Sequence, residues 1–208
     1  MYVPEHFKEN DTPKLQQYIR DYGFGMLIVA DEAGIEANHV PFHLSCSGTD
    51  SLGTLQCHVA RKNPVWQRLA LGGRVLAVFQ GPNAYVSPSW YPTKAENGRV
   101  VPTWNYLAVH AEGHARIVED SAWLQQHLRE LTDQHESGRS EPWAVDDAPS
   151  DFTEKLVQAM VGIEIEVDTL TGKLKASQNL PERNKAGVKA GLEGEESTHS
   201  QAMSQLFS

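Results

Sequence analysis

Between residues 24 and 119 the chain is cut into short apolar runs, each closed within a few residues by glycine, proline, asparagine or aspartate. Runs of this length, rich in Val, Ile and Phe and split by turn residues, are too short for helices. They bury their apolar faces best by pairing with the next run through a hairpin. Residues 25–30 (GMLIVA) form the first, closed by a turn at 31–34. The second covers 35–44, where Pro41 removes a ladder donor and predicts an edge or a bulge. Residues 46–53 read as a loop and 55–60 (LQCHVA) as the third strand. Residues 74–79 (RVLAVF) are the fourth, and a turn at Gly81-Pro82-Asn83 leads into a fifth. From Thr103 to Glu119 a long strand pattern follows, with a bulge expected at Gly113.

Helices flank these strands. Asp11-Thr12-Pro13 predicts a helix start, with Leu15, Ile19 and Tyr22 on one face. Asn63-Pro64 opens a short helix that stops at Gly72-Gly73. Residues 120–136 place Trp123, Leu124, His127, Leu128 and Leu131 on one face of a longer helix. Asp151 and Glu154 read as a capping box for the next. Residues 162–170 alternate apolar and acidic, Thr171-Gly172 reads as a turn, and 181–194 is a weak helix before a loose tail. Strands dominate the first half, so the expected fold is a small antiparallel barrel with helices packed outside.

A chain of 208 residues has room for one domain. We expect it over 1–190, with 191–208 as a flexible tail. No apolar run reaches membrane-spanning length, and the first ten residues hold no apolar signal region, so a cytoplasmic protein is expected. Cys46 and Cys57 lack a C-x-x-C spacing and read as reduced thiols. The net charge is −9, yet residues 53–106 carry Arg61, Lys62, Arg68, Arg74, Lys94 and Arg99 against one acid, Glu96. Trp66, Trp90 and Trp104 lie in the same stretch. Local positive charge beside flat aromatics, inside an acidic protein, suits a small aromatic anion better than a nucleic acid.

Three constellations could carry chemistry. HVARKNP (58–64) puts His58, Arg61 and Lys62 at a strand-to-helix junction, where a guanidinium and free helix N–H groups suit phosphate; a solvated basic turn explains it as well. SPSWYP (87–92) sets Ser87 and Ser89 beside the rings of Trp90 and Tyr91, as a heteroaromatic ligand with polar edges requires; an aromatic cluster at the edge of the core is the plainer account. VPTWNY (101–106) mixes Thr103 and Asn105 with Trp104, and a buried asparagine needs a partner. His39 and His43, and His110 and His114, are each four apart, but no carboxylate or cysteine joins them at a metal-ligand spacing, so hydrogen-bonded histidines are expected and no metal. Dinucleotide, Walker and nucleophile-elbow motifs are absent from the sequence.

Taken together, MYVPEHF, ANHVPF, LQCHVARKNPVW, VFQGPNAYVSPSWY, VPTWNYLAVHAEG, GIEIEV, TGKLKASQN and the closing Arg183–Val188 segment resemble the PaiB-type, FMN-binding negative transcriptional regulators. The resemblance runs from residue 1 to about 190. It implies an α+β, mainly β fold: an FMN-binding split β-barrel like that of pyridoxamine-phosphate oxidases, with flanking helices. It also implies a homodimer with FMN at the subunit interface. By the family pattern His58, Ala60, Arg61 and Asn63 hold the phosphate side. Ser87, Ser89, Trp90, Thr103, Trp104 and Asn105 line the flavin and its ribityl chain. Asn38 and His39 lie beside the ring, and Lys175, Ser177 and Gln178 close the site. Lys62 and Ala176 depart from the pattern, where a small and an apolar residue are expected.

The regulator label sits uneasily with a pI near 5.4 and with no helix-turn-helix pattern, so DNA is weakly supported as a partner. An FMN-dependent oxidoreductase on the same fold is the alternative. A haem-binding split barrel is a third reading, supported only by His39, His43, His58, His110 and His114 as axial candidates.

Overall fold

In chain order the elements are β1 (Lys8–Glu9), α1 (Thr12–Asp21), β2 (Phe24–Asp31), β3 (Gly34–Pro41), β4 (His43–Ser45), β5 (Thr54–Ala60), α2 (Val65–Arg68), β6 (Gly73–Val86), α3 (Lys94–Asn97), β7 (Thr103–Val118), α4 (Ser121–Glu136), α5 (Ser150–Gln158), β8 (Met160–Lys175), α6 (Glu182–Glu193) and α7 (Thr198–Ser204). They come from a computed structural model that describes residues 1–46 and 52–207; most of the loop expected at 46–53 lies outside the described residues. The strand order is β3-β2-β6-β7-β8-β5-β4, with β1 added to β8. Every pair with a defined register is antiparallel. The chain is a mainly antiparallel sheet with flanking helices, as the short runs and frequent turns predict.

Contacts group the chain into two compact units: residues 1–11, 80–109 and 171–208 make the first, and 12–79 with 110–170 the second. In the second unit the β2–β3 hairpin is closed at Asp31↔Gly34, and Gly34 takes φ 109°, which glycine adopts without strain. Among the described residues β3 pairs with β2 alone, so the edge expected from Pro41 is observed, and the strand breaks at Phe42 before β4. The core of this unit holds Leu27, Leu55, Cys57, Ile163 and Ile165 together with Phe42 and Phe79, whose rings meet edge to face at 5.2 Å. Asp120 caps α4 by accepting from the Trp123 N–H at 2.7 Å.

Several expected interruptions are strand instead. β6 runs through Gly81-Pro82-Asn83 rather than turning there. Its buried positions change phase between Gly81 and Pro82, as an inserted residue causes, and proline needs no ladder partner at such a point. β7 keeps strict alternation from Asn105 to Ala115, so no residue is inserted at Gly113. That glycine serves a close approach: a Cβ there would lie 2.1 Å from the Glu166 carbonyl oxygen. β8 runs through Thr171-Gly172 because β1 pairs with it at Glu9↔Gly172 and Lys8↔Lys173. The capping box at α5 is not formed; Asp151 pairs with Lys155 at 3.2 Å and Pro149 precedes the helix.

In the first unit, Ala84, Val86, Tyr91, Ala176, Val188, Leu192 and Met203 form one buried cluster, with Trp90 packed against it. The tail expected to be loose supplies part of it, since Met203 of α7 is fully buried. Gly187 and Gly191 make α6 a weak helix by propensity but let it seat on Trp90. Cβ atoms at these positions would meet the Trp90 carbonyl oxygen at 2.1 Å and the indole ring at 2.3 Å.

Candidate functional site

The first unit holds a cavity of about 320 Å³. On β7, Thr103 and Asn105 alternate onto its wall; at the end of β8, Lys175 and Ser177 do the same. Asn105 is fully buried and donates from Nδ2 to Ser177 Oγ at 3.0 Å. The Lys175 ammonium donates to the Thr103 hydroxyl, and it lies 5.9 Å from the Phe7 ring centre. Burial lowers the Lys175 pKa from its ordinary value, and the nearby Lys173 lowers it further. Arg99 adds a second cation to the wall, and no carboxylate lines it among the described residues. Asn184 of α6 donates to Thr93 Oγ1 at 3.0 Å, and Tyr91 supplies a buried ring.

Four of the sequence-expected residues therefore come together: Thr103, Asn105, Lys175 and Ser177. Five others in this unit have different work. Ser87 accepts from the Ser89 N–H at 3.2 Å, and Ser89 Oγ accepts from Lys94 Nζ at 3.1 Å. Trp90 is the seat of α6. Trp104 points to the other face of β7, half exposed, with its ring 6.0 Å from Tyr85. Gln178 braces the end of β8 without lining the cavity. Sequence reading missed Phe7, Thr93, Arg99 and Asn184 as wall residues. Phe7 and Asn184 carried a signal, in MYVPEHF and in the closing Arg183–Val188 segment, and Arg99 only its charge.

The remaining expected residues lie in the second unit, where most have internal partners. Arg61 donates from Nε to the Gln158 carbonyl and from Nη2 to the Met160 carbonyl, each at 3.0 Å, and pairs through Nη1 with Glu119. It ties the end of α5 to the start of β8. Asn63 donates to Asn38 Oδ1 at 2.6 Å and accepts from the Val65 N–H at 3.0 Å, so α2, only four residues long, already has a capped amide. Asn38 donates to Glu36 at 2.9 Å. His39 is exposed, with Phe24 as its ring neighbour at 6.3 Å, and Ala60 ends β5.

His58 faces α4. Its Nδ1 is 3.1 Å from Nε2 of His127, whose ring is stacked on Trp123 at 5.2 Å. The buried His127 Nδ1 has no partner among the described residues, so the network favours a bare acceptor there, with Nε2–H donating to His58. Burial lowers both histidines, and His127 is pushed down to about 3, with His58 and His43 adding to the effect. Along the same stripe of α4, Trp123 donates to Glu164 at 3.2 Å and Gln134 meets His43 at 3.2 Å. A polar groove elsewhere in this unit is lined by His114, Arg116, Glu164 and Asp168; Arg116 pairs with Glu164, and His114 Nδ1 lies 3.4 Å from Asp168 Oδ2.

The wall of the cavity combines what a flavin phosphate or ribityl chain needs, a cation and several hydrogen-bonding groups, with the rings of Phe7 and Tyr91. FMN chemistry fits this donor set.

Comparison with known proteins supports FMN as the cofactor. The family model described as "Putative FMN-binding domain" matches residues 1–169. An uncharacterised protein of Emericella nidulans is 37% identical over 93% of this chain and 90% of its own length. The Bacillus subtilis protein named "Protease synthase and sporulation protein PAI 2" is 32% identical over 100% of this chain and 96% of its own. Among solved structures, the FAD and haem binding protein from Mycobacterium smegmatis aligns with a TM-score of 0.58 at 15% identity, covering 81% of this chain and 73% of that one. At that identity the likeness establishes the fold, a flavin-type split barrel of mainly β class.

Proposed function

This chain belongs to the FMN-binding domain family whose model it matches, and from that premise we propose that it is a cytoplasmic, homodimeric flavoprotein of the PaiB type that binds FMN at the cavity of its first unit. The observation that supports the site most is the convergence of Thr103, Asn105, Lys175 and Ser177 on one wall that holds no carboxylate among the described residues. Lys175 and Arg99 attract the anionic end of the ligand. Asn105 and Ser177 orient its polar edges, and Phe7 and Tyr91 exclude water from its apolar parts. Bound FMN supplies one- and two-electron redox chemistry.

Negative control of gene expression is the role that we propose, from the resemblance of the sequence to the PaiB-type regulators. Direct DNA contact through α6 is a poor route for it. Arg183 is held by Glu96 through two bonds of 2.5 and 2.9 Å, and Lys185 pairs with Glu182 at 2.7 Å. Basic groups neutralised in this way release few counterions from a phosphate backbone. The reading therefore places control in the redox state of the flavin.

Lys175→Ala removes a cation from the wall and is expected to weaken FMN binding about tenfold, or about 1.4 kcal/mol. Quenching of FMN fluorescence on titration measures it. An unchanged dissociation constant would remove Lys175 from the site. Steady NAD(P)H consumption by the FMN-loaded protein would favour the oxidoreductase alternative over the regulator.

A further inference from the structure

Ser177 is the only non-glycine residue with positive φ among the described residues, at 62°. A serine in the left-handed region is strained unless its surroundings hold it there. The holding contacts are the two ends of one amide. Gln178 Oε1 accepts from the Ala176 N–H at 2.7 Å, and Gln178 Nε2 donates to the Leu174 carbonyl at 2.6 Å. The side chain thus staples Leu174 to Ala176 at the end of β8, with Lys175 inside the stapled segment and Ser177 between it and Gln178. Ser177 is buried, and its hydroxyl is met by Asn105. Lys175 reaches Thr103 from the same segment. Gln178 does not line the cavity, and both of its polar ends are already engaged.

The geometry points to Gln178 as a positioning residue: its amide staple fixes Ser177 in the left-handed conformation and so sets the direction from which Ser177 and Lys175 meet the ligand. This rests on the flavin reading of the cavity. Gln178 touches no ligand atom itself and acts through the backbone of residues 174–177.

The test is an FMN titration of the full chain carrying Gln178→Ala, Ser177→Gly, both together, or Lys175→Ala, with thermal unfolding followed in parallel. Gln178→Ala is expected to raise the FMN dissociation constant about tenfold and to shift the absorbance of the bound flavin. Combined with Ser177→Gly, which takes positive φ without strain, the same change should cost less than about twofold. Should Gln178→Ala fail to fold, Gln178→Glu, which keeps the acceptor for Ala176 and loses the donor to Leu174, should give an intermediate loss. If Lys175→Ala weakens FMN while Gln178→Ala leaves it unchanged, the positioning role is wrong and the flavin site stands. If the two Gln178→Ala costs are equal with and without Ser177→Gly, Gln178 does not act through Ser177. If neither Lys175→Ala nor Gln178→Ala affects binding, the flavin reading of the cavity falls with it.

Discussion

Gly113→Ala is expected to destabilise the protein by about 3 kcal/mol or more, a large fraction of the stability of an ordinary domain. The added methyl would lie 2.1 Å from the Glu166 carbonyl oxygen, 2.9 Å from its carbon and 3.0 Å from Ile165 Cγ2. The first two are backbone atoms of β8, which cannot swing away as a side chain does. Relief requires β7 and β8 to separate in the middle of the sheet order. Gly138→Ala is the control, since nothing lies within 4 Å of its Cβ position, and its effect should stay within about 0.5 kcal/mol. Urea unfolding at pH 7.5 measures both. Equal midpoints for the two variants would show that the strands tolerate the methyl.

Stability should also fall steeply as the solution is acidified from pH 7 to 5. His58 and His127 are held neutral by burial, with folded pKa values below the ordinary histidine value and His127 at about 3. The unfolded chain therefore binds more protons than the folded one below about pH 6.5. The sign follows: the contribution is fully present above the unfolded pKa, and it is lost as pH falls towards the folded one. For His127 alone the loss at pH 5 is about 2 kcal/mol. Protonation there would also put a charge beside His58, with His43, Glu130 and Glu164 the other titratable groups along the seam. Trp123, stacked on His127, reports the event by fluorescence. His127→Leu should flatten the pH dependence by that amount while costing some stability at pH 7.5, where His58 loses its partner. A wild-type protein equally stable at pH 5 and pH 7.5 would contradict the neutral pair.

Much of the strand framework was legible because it depends on local pattern. The alternation of β7, the helix over 120–136 and the edge at Pro41 needed no tertiary information. Gly81-Pro82 and Thr171-Gly172 were misread as turns because their strand state depends on partners distant in sequence, which at Gly172 is Glu9 of β1. α6 reads as a weak helix in sequence, and Gly187 and Gly191 do lower its propensity, yet their missing side chains are what seat the helix on Trp90. The cavity was half legible. Thr103, Asn105, Lys175 and Ser177 stood out through the family resemblance. Phe7 and Arg99 reach the same wall from MYVPEHF and from the loop before β7, segments far apart in sequence that nothing local brings together. Arg61 reads as a phosphate ligand from spacing alone, yet the fold gives it two backbone carbonyls and Glu119 as partners.

The most direct test of the flavin account is titration of the purified protein with FMN, followed by flavin fluorescence and absorbance, with riboflavin as the comparison. The account predicts saturable quenching at micromolar FMN, a two-band flavin spectrum retained through gel filtration, and binding weakened about tenfold by Lys175→Ala and likewise for riboflavin, which lacks the phosphate. FMN that stays fully fluorescent and elutes free of the protein at every concentration would contradict it.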